Sequence, residues 1–290
     1  MVTEHRLNRP NGVLFRPEHP CGTGVLVLAG SSGRIDDERA RLLATRGAMA
    51  MSIQWFGGEG QQPGPYEVPL ETFSECLDSL AGACERIAVV GTSFGAEAAL
   101  LLAARDPRVA AVVGFAPSPV VWAGVAPDGP DGEARQTSHW TAGGIPLPFV
   151  PFVEDWVPDT EPPAFRGLYA ASLAARPDLT EAAAIPVEDI SGAVVLVAGG
   201  DDQVWPSGEF AATITARRRA HGLDTTLVTH PGAGHRTILP GESPIVAGQV
   251  MARGGNPEAD AELGRAAWPM VSEALHLLPD PAPAEVAHPR

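Results

Sequence analysis

Residues 86–104 constrain this chain more than any other stretch. A short apolar run, Ile87-Ala88-Val89-Val90, passes through Gly91-Thr92-Ser93-Phe94-Gly95 into an alanine- and leucine-rich segment at 96–104. That pattern predicts a buried strand, a sharp turn and a helix. Glycines two residues to either side of a serine have a steric purpose, because in so tight a turn a side chain at 91 or 95 would strike the neighbouring strand or helix. The same turn strains the backbone of Ser93 and lifts its Oγ clear at the carboxyl end of the strand, where a base can reach it.

The rest of the chain alternates around that unit. Segments 12–17, 25–29, 48–53, 109–115, 194–198 and 225–229 read as strands. A helix is expected after Asp36, Asp37 and Glu38, stopping at Gly47, and another where Leu70, Phe73, Leu77 and Leu80 recur at helical spacing. Further helices are expected over about 208–221 and 257–278, the last with Pro269 as a kink. Strand, helix, strand in succession predicts an α/β fold whose mostly parallel central sheet is flanked by helices. The first twelve residues are expected to be loose, 57–69 to be a loop and the tail at 279–290 to be disordered. With no internal repeat and no linker, residues 1–290 read as one domain. Residues 120–190 break the rhythm with prolines, glycines and three tryptophans, Trp122, Trp140 and Trp156, and only 165–175 has a helical look. Such an insertion predicts a lid over a substrate, its tryptophans among the contacts; an aromatic cluster that holds the insertion down is the other role they can serve.

Composition removes several function classes. A formal charge of −15 on 290 residues argues against nucleic acid or an anionic membrane as partner. All twenty basic residues are arginine, so Schiff-base and P-loop chemistries, which need lysine, are excluded. Cys21, Cys76 and Cys84 form no C-x-x-C pair, which predicts reduced thiols, no metal site and a cytoplasmic protein. The polar N-terminus shows no secretory signal, no run is long enough to span a membrane, and oligomeric state is not legible.

The Gly-Thr-Ser-Phe-Gly turn resembles the nucleophile elbow of the α/β-hydrolase fold, in which a serine, an acid and a histidine follow in that order, each after a strand. Serine needs a base to take its proton, and the base needs an acid to hold its tautomer. Ser93, Asp202 and His235 satisfy the order and the contexts, with His235 in a Gly-Ala-Gly-His loop after the last strand; His139, His221 and His230 fit less well. Asp202 is favoured by its spacing from the strand, with Asp201 as the alternative, since neighbours in such a turn point apart and only one faces the histidine. The oxyanion donors are expected to be the backbone N–H groups of Phe94 and of Ser31, in the Gly30-Ser31-Ser32 loop. Glu97, one turn past Ser93 in an apolar helix, is expected to bond a buried backbone or arginine group and to be structural.

Several stretches together resemble the C-terminal catalytic domain of the acyl-CoA thioesterase and bile-acid-CoA:amino-acid N-acyltransferase family. The elbow Gly-Thr-Ser-Phe-Gly-Ala-Glu matches that family's, Asp-Asp-Gln-Val-Trp-Pro-Ser at 201–207 resembles its acid-loop signature, and Ile185-Pro186-Val187-Glu188 resembles its I-P-V-E segment. Softer matches are the segment 143–148 and Gly254-Gly255 leading to 260–268, and the resemblance runs from about residue 13 to 278. Mammalian members carry an additional N-terminal β-sandwich domain, for which this sequence has no room. Members that transfer acyl groups to amino acids use a cysteine nucleophile where this chain has Ser93. The resemblance implies a serine hydrolase acting on a small-molecule acyl thioester or ester, with no cofactor. The alternatives are an acyltransferase or cyclising enzyme passing the acyl group to an amine or alcohol, and a carboxylesterase or dienelactone-type hydrolase. If the carrier is coenzyme A, its phosphates require arginines at the mouth, and Arg34 and Arg236 are nearest in sequence to the expected catalytic elements.

Overall fold

The structure, a computed structural model, describes residues 1–127, 133–244 and 249–279. In chain order it runs β1 (Val2–Asn8), β2 (Asn11–Pro17), β3 (Thr23–Leu28), α1 (Asp37–Thr45), β4 (Met49–Ile53), β5 (Val68–Pro69), α2 (Glu71–Ala81), β6 (Arg86–Thr92), α3 (Phe94–Arg105) and β7 (Val109–Phe115). The insertion then contributes β8 (Ala123–Ala126), β9 (Arg135–Ser138), β10 (Trp140–Ala142), β11 (Ile145–Pro146), α4 (Arg166–Ala175) and α5 (Pro177–Ala182). The sheet resumes with β12 (Ala193–Gly199), α6 (Ser207–Ala220) and β13 (Thr226–His230), and α7 (Pro257–Ala274) closes the fold.

Eight strands form one sheet in the order β1-β2-β4-β3-β6-β7-β12-β13. Only β2 opposes its neighbours; β4, β3, β6, β7, β12 and β13 are parallel. This is the α/β-hydrolase fold. Because strand side chains alternate, each central strand feeds two cores. Leu26, Leu28, Val89 and Leu196 face α2, α3 and α6. Val25, Val27, Val90 and Val195 face α1 and α7.

Two expectations at the chain ends need correction. Residues 2–8, read as loose, pair with β2 along seven positions, forming a hairpin edge that the polar run Thr3-Glu4-His5-Arg6 hid. The last helix ends at Ala274 rather than 278, although Leu278 still reaches back through its N–H to the Arg46 carbonyl at 2.8 Å. The tail expected to be disordered lies, from 280 on, outside the described residues.

The insertion is anchored to α3 by one buried acid. Glu97 Oε1 accepts from the Trp140 indole N–H at 2.7 Å and from the Trp122 backbone N–H at 3.2 Å. The Trp122 indole donates to Ser118 Oγ at 2.8 Å. Glu97 therefore has a structural role, with two tryptophans rather than an arginine as partners. Burial pushes its carboxyl well above its ordinary value of 4.5, and the two N–H donors only partly oppose that, a balance that favours the neutral acid.

Two outcomes follow for stability. A Cβ at Gly95 would fall on the carbonyl oxygens of Leu28 and Ala29. Gly95→Ala is therefore expected to lower unfolding free energy by about 3 kcal/mol or more, read by denaturant titration; an unchanged midpoint would contradict the packing. Glu97→Gln keeps the acceptor but removes the titration. Since the wild-type carboxyl binds its proton more tightly folded than unfolded, wild-type stability is full below about pH 4.5 and declines as pH rises above it, until the folded carboxyl itself ionises. The variant should gain on it by about 1.4 kcal/mol per pH unit above 4.5. Parallel melts at pH 5 and pH 8 that showed no widening gap would mean that Glu97 is ionised.

Candidate active site

The parallel strands β6, β12 and β13 deliver their following loops to one edge of the sheet, and those loops carry Ser93, Asp202 and His235. Ser93 sits between β6 and α3 with φ 57° and ψ −123°, a left-handed conformation held by its N–H to the Phe115 carbonyl at 2.9 Å. A Cβ at Gly91 would land on the carbonyl of Gly95, so both flanking glycines are sterically required. Ser93 is 6 % exposed and His235 8 %, enough for a small opening, whereas Asp202 is fully buried.

Asp202 Oδ2 lies 2.8 Å from His235 Nδ1, and its Oδ1 accepts from the backbone N–H groups of Val204 at 2.8 Å and Trp205 at 3.2 Å. A carboxylate can only accept, so Nδ1 carries the proton and Nε2 presents its lone pair. Asp201 points the other way. Its Oδ2 accepts from the Gly255 N–H at 2.8 Å and its Oδ1 from the Gln203 side chain at 2.9 Å. Trp205 stands edge-on to both Phe94 and His235, with ring centres 5.2 and 5.6 Å away, and so spans from the serine's neighbour to the histidine.

The loop expected to complete the oxyanion site passes directly beside the serine. Gly30 closes a turn by accepting from the Gly33 N–H at 2.9 Å, and a Cβ at Gly30 would lie 3.6 Å from Ser93 Oγ. Ser31 follows at the exposed corner of that turn. Phe94, as the first residue of α3, has an N–H with no partner inside the helix.

The tryptophans divide. Trp122 and Trp140 are fully buried with their indole N–H groups bonded, as an aromatic cluster that holds the insertion down requires. Trp156 is half-buried on the outer part of the insertion, 6.0 Å from the Phe165 ring. The insertion reaches the site instead through His139, which stacks on Phe94 at 3.9 Å and which burial holds near a pKa of 4, hence neutral. Arg166, the first residue of α4, donates to the Asp202 carbonyl at 2.9 Å and secures the acid loop. A cavity of about 730 Å³ lies between α4, α5 and α6, but Trp205 stands between its floor at Phe210 and His235. Neither Ser93 nor His235 lines that cavity.

Sequence spacing gave no role to His139 or Arg166, whose partners Phe94 and Asp202 are remote in sequence, and it left the ring contacts of Trp205 with Phe94 and His235 unseen. It also missed Arg253, whose carbonyl accepts from the His235 N–H at 2.9 Å and so lies against the same loop as Arg236. Among the described residues there is no cluster of metal-ligating side chains, and no helix is long and apolar enough to cross a membrane.

Comparison with known proteins agrees with the fold. Acyl-coenzyme A amino acid N-acyltransferase 2 of Mus musculus is 27 % identical over 93 % of this chain and 64 % of its own length. Acyl-coenzyme A thioesterase 2, mitochondrial, of the same species is 26 % identical over 93 % of this chain. The chain spans 59 % of the length of that thioesterase, so in both cases it matches less than two thirds of its relative. A putative dienelactone hydrolase from Klebsiella pneumoniae superposes with a TM-score of 0.52 at 13 % identity, covering 95 % of this chain and 98 % of its own, a likeness of fold alone. The family described as "BAAT / Acyl-CoA thioester hydrolase C terminal" matches residues 68–276, from β5 through α7, and with the elbow, the acid loop and the histidine loop all inside that span, this chain belongs to it.

Proposed function

We propose that this protein is a serine hydrolase that cleaves an acyl thioester through an acyl-serine intermediate, with Ser93 as nucleophile, His235 as general base and Asp202 as the acid that orients it. The observation that carries the reading is the 2.8 Å contact from Asp202 Oδ2 to His235 Nδ1, made by a buried carboxylate whose other oxygen is already satisfied by two backbone N–H groups. That arrangement fixes one tautomer, and a fixed tautomer is what a base serving a serine requires. In the first step His235 Nε2 takes the Ser93 proton as Oγ attacks the thioester carbonyl. The developing oxyanion is received by the N–H groups of Phe94 and Ser31. Collapse expels the thiolate, protonated by the imidazolium, and water activated by His235 then releases the acid. The acyl group lies beneath the insertion, on the side where Phe94 follows the nucleophile. Three unbridged cysteines are consistent with a cytoplasmic setting.

A second reading is favoured by one finding, the N-acyltransferase among the relatives. In it the acyl-serine passes to an amine in place of water.

Intact-mass analysis of wild type and Ser93→Ala, after exposure to a series of acyl-CoAs and to a serine-reactive fluorophosphonate, decides between these. The expected result is an adduct on wild type alone with release of free CoA, and a loss of turnover of about 10⁴-fold or more in the variant. Labelling without CoA release would remove the thioester assignment while leaving the nucleophile. Acyl glycine formed when glycine is added would establish the transferase reading.

A further inference from the structure

The cavity of about 730 Å³ behind the acid loop has the size of a small-molecule site, and the chemistry proposed above does not use it. Two helices face one another across this cleft. Ala170 and Leu173 come from α4 and Phe210 and Ile214 from α6, each pair at helical spacing, with Val120 and Ile185 also in the lining. Apolar walls offer water few partners, so a molecule that replaces water there with apolar atoms is favoured.

The rim disfavours an anion. Both of its arginines are engaged by carboxylates, Arg166 by Glu209 at 2.5 Å and Arg217 by Glu188 at 2.6 Å, and Glu181 adds a further negative charge. The two rim hydroxyls give their protons to helix carbonyls. Thr180 Oγ1 donates to Arg176 and Thr213 Oγ1 to Glu209, both at 2.9 Å, which leaves each with lone pairs to offer. Such acceptors suit a ligand whose polar group is itself a donor.

Both walls of the cleft start at the acid loop. The backbone N–H groups of Phe165 and Arg166, where α4 begins, donate to the Gln203 carbonyl at 2.9 and 3.0 Å, and the Arg166 guanidinium donates to the Asp202 carbonyl at 2.9 Å. The other wall, α6, follows that loop directly, and its Phe210 packs towards Trp205, which stands beside His235. A molecule seated between the helices adds contacts to both at once, and so opposes the local opening that would free the loop.

We propose that the cleft between α4 and α6 is a binding site, separate from the serine opening, for an uncharged and largely apolar molecule that carries a hydrogen-bond donor, such as an apolar alcohol or phenol, and that its occupancy steadies the loop carrying Asp202.

N-phenyl-1-naphthylamine has this chemistry, an uncharged aromatic amine with one N–H donor, and 8-anilinonaphthalene-1-sulfonate is the same skeleton with a sulfonate added. Each is titrated by fluorescence into the full chain as wild type, Ala170→Trp and Thr213→Trp; both substitutions place an indole in the cleft from an exposed position. The amine is expected to bind wild type saturably, at least about tenfold more tightly than the sulfonate, and each variant is expected to weaken it by about tenfold or more. No saturable binding of the amine, or a sulfonate that binds as tightly, would overturn the proposal without recourse to any variant. So would amine binding that neither substitution changes in variants whose thermal melts match wild type. Hydrogen exchange reads the effect on the loop. With the amine at saturation, the amide protons of Phe165, Arg166, Val204 and Trp205 are expected to exchange at least about threefold more slowly, and unchanged rates would remove the steadying of Asp202. Neither readout requires turnover, so the site can stand where thioester cleavage fails and fail where cleavage stands.

Discussion

Everything at the active edge depends on a backbone conformation that the serine could not hold alone. With φ at 57° Ser93 lies where a non-glycine residue costs about 1–3 kcal/mol, and its neighbours over-determine it. Its N–H is taken by Phe115 on β7, and its carbonyl receives the N–H groups of Ala96 and Glu97 as α3 begins. Gly91 and Gly95 let β6, α3 and the end of β3 approach to backbone contact. That close approach also puts the Gly30 turn against the nucleophile. One steric constraint therefore sets the serine, the first helix N–H and the neighbouring loop together.

A buried ion pair ties the far side of the site to this elbow. Arg39 on α1 holds Glu242 through two bonds of 2.6 and 2.9 Å, and the same guanidinium donates to Thr92 Oγ1 at 2.9 Å and to the Thr237 carbonyl at 3.1 Å. Thr92 precedes the serine and Thr237 lies two residues after His235, so one side chain braces both loops from behind. Its ring contact with Phe115, 4.3 Å away, fills the remaining face. A pair this buried adds little net stability, because desolvation offsets most of the attraction, but loss of either partner would strand a charge. Its contribution here is to fix geometry.

Much of the fold was legible because apolar periodicity is local. The strands at 25–29 and 194–198 and the helix with Leu70, Phe73, Leu77 and Leu80 needed only their own residues to declare themselves. β1 was not legible, since Glu4, His5 and Arg6 mask a strand that pairs along an edge and buries little. The short strands hid for a related reason: β5 exists only because it pairs with β10 of the insertion across some seventy residues of sequence, and β11 is a two-residue strand closing a hairpin on β10. Order and spacing were enough to nominate Ser93, Asp202 and His235. They did not tell that Trp122 and Trp140 converge on Glu97, because aromatic content signals burial and ligand contact alike. Arg253 was invisible for a further reason, since what brings it to His235 is a backbone bond between loops 18 residues apart in sequence.

The distribution of charge decides how such a site can meet an anionic substrate. A net charge of −15 repels anions at long range, so the field of the whole molecule gives no steering towards the mouth. Attraction has to act within about 8 Å at physiological ionic strength, the distance beyond which exposed charges are screened. Arg236 directly follows His235, and the Arg253 backbone bonds to that histidine, so positive charge stands close to the elbow even in a chain with 35 acids. Around the serine the packing is aromatic and neutral, with Phe94, Trp205 and an uncharged His139, all three buried. Positive charge beside apolar, aromatic packing is complementary to a molecule that is anionic at one end and apolar at the other. On the proposed reading the thioester bond lies at the boundary between them, which is where the elbow holds Ser93.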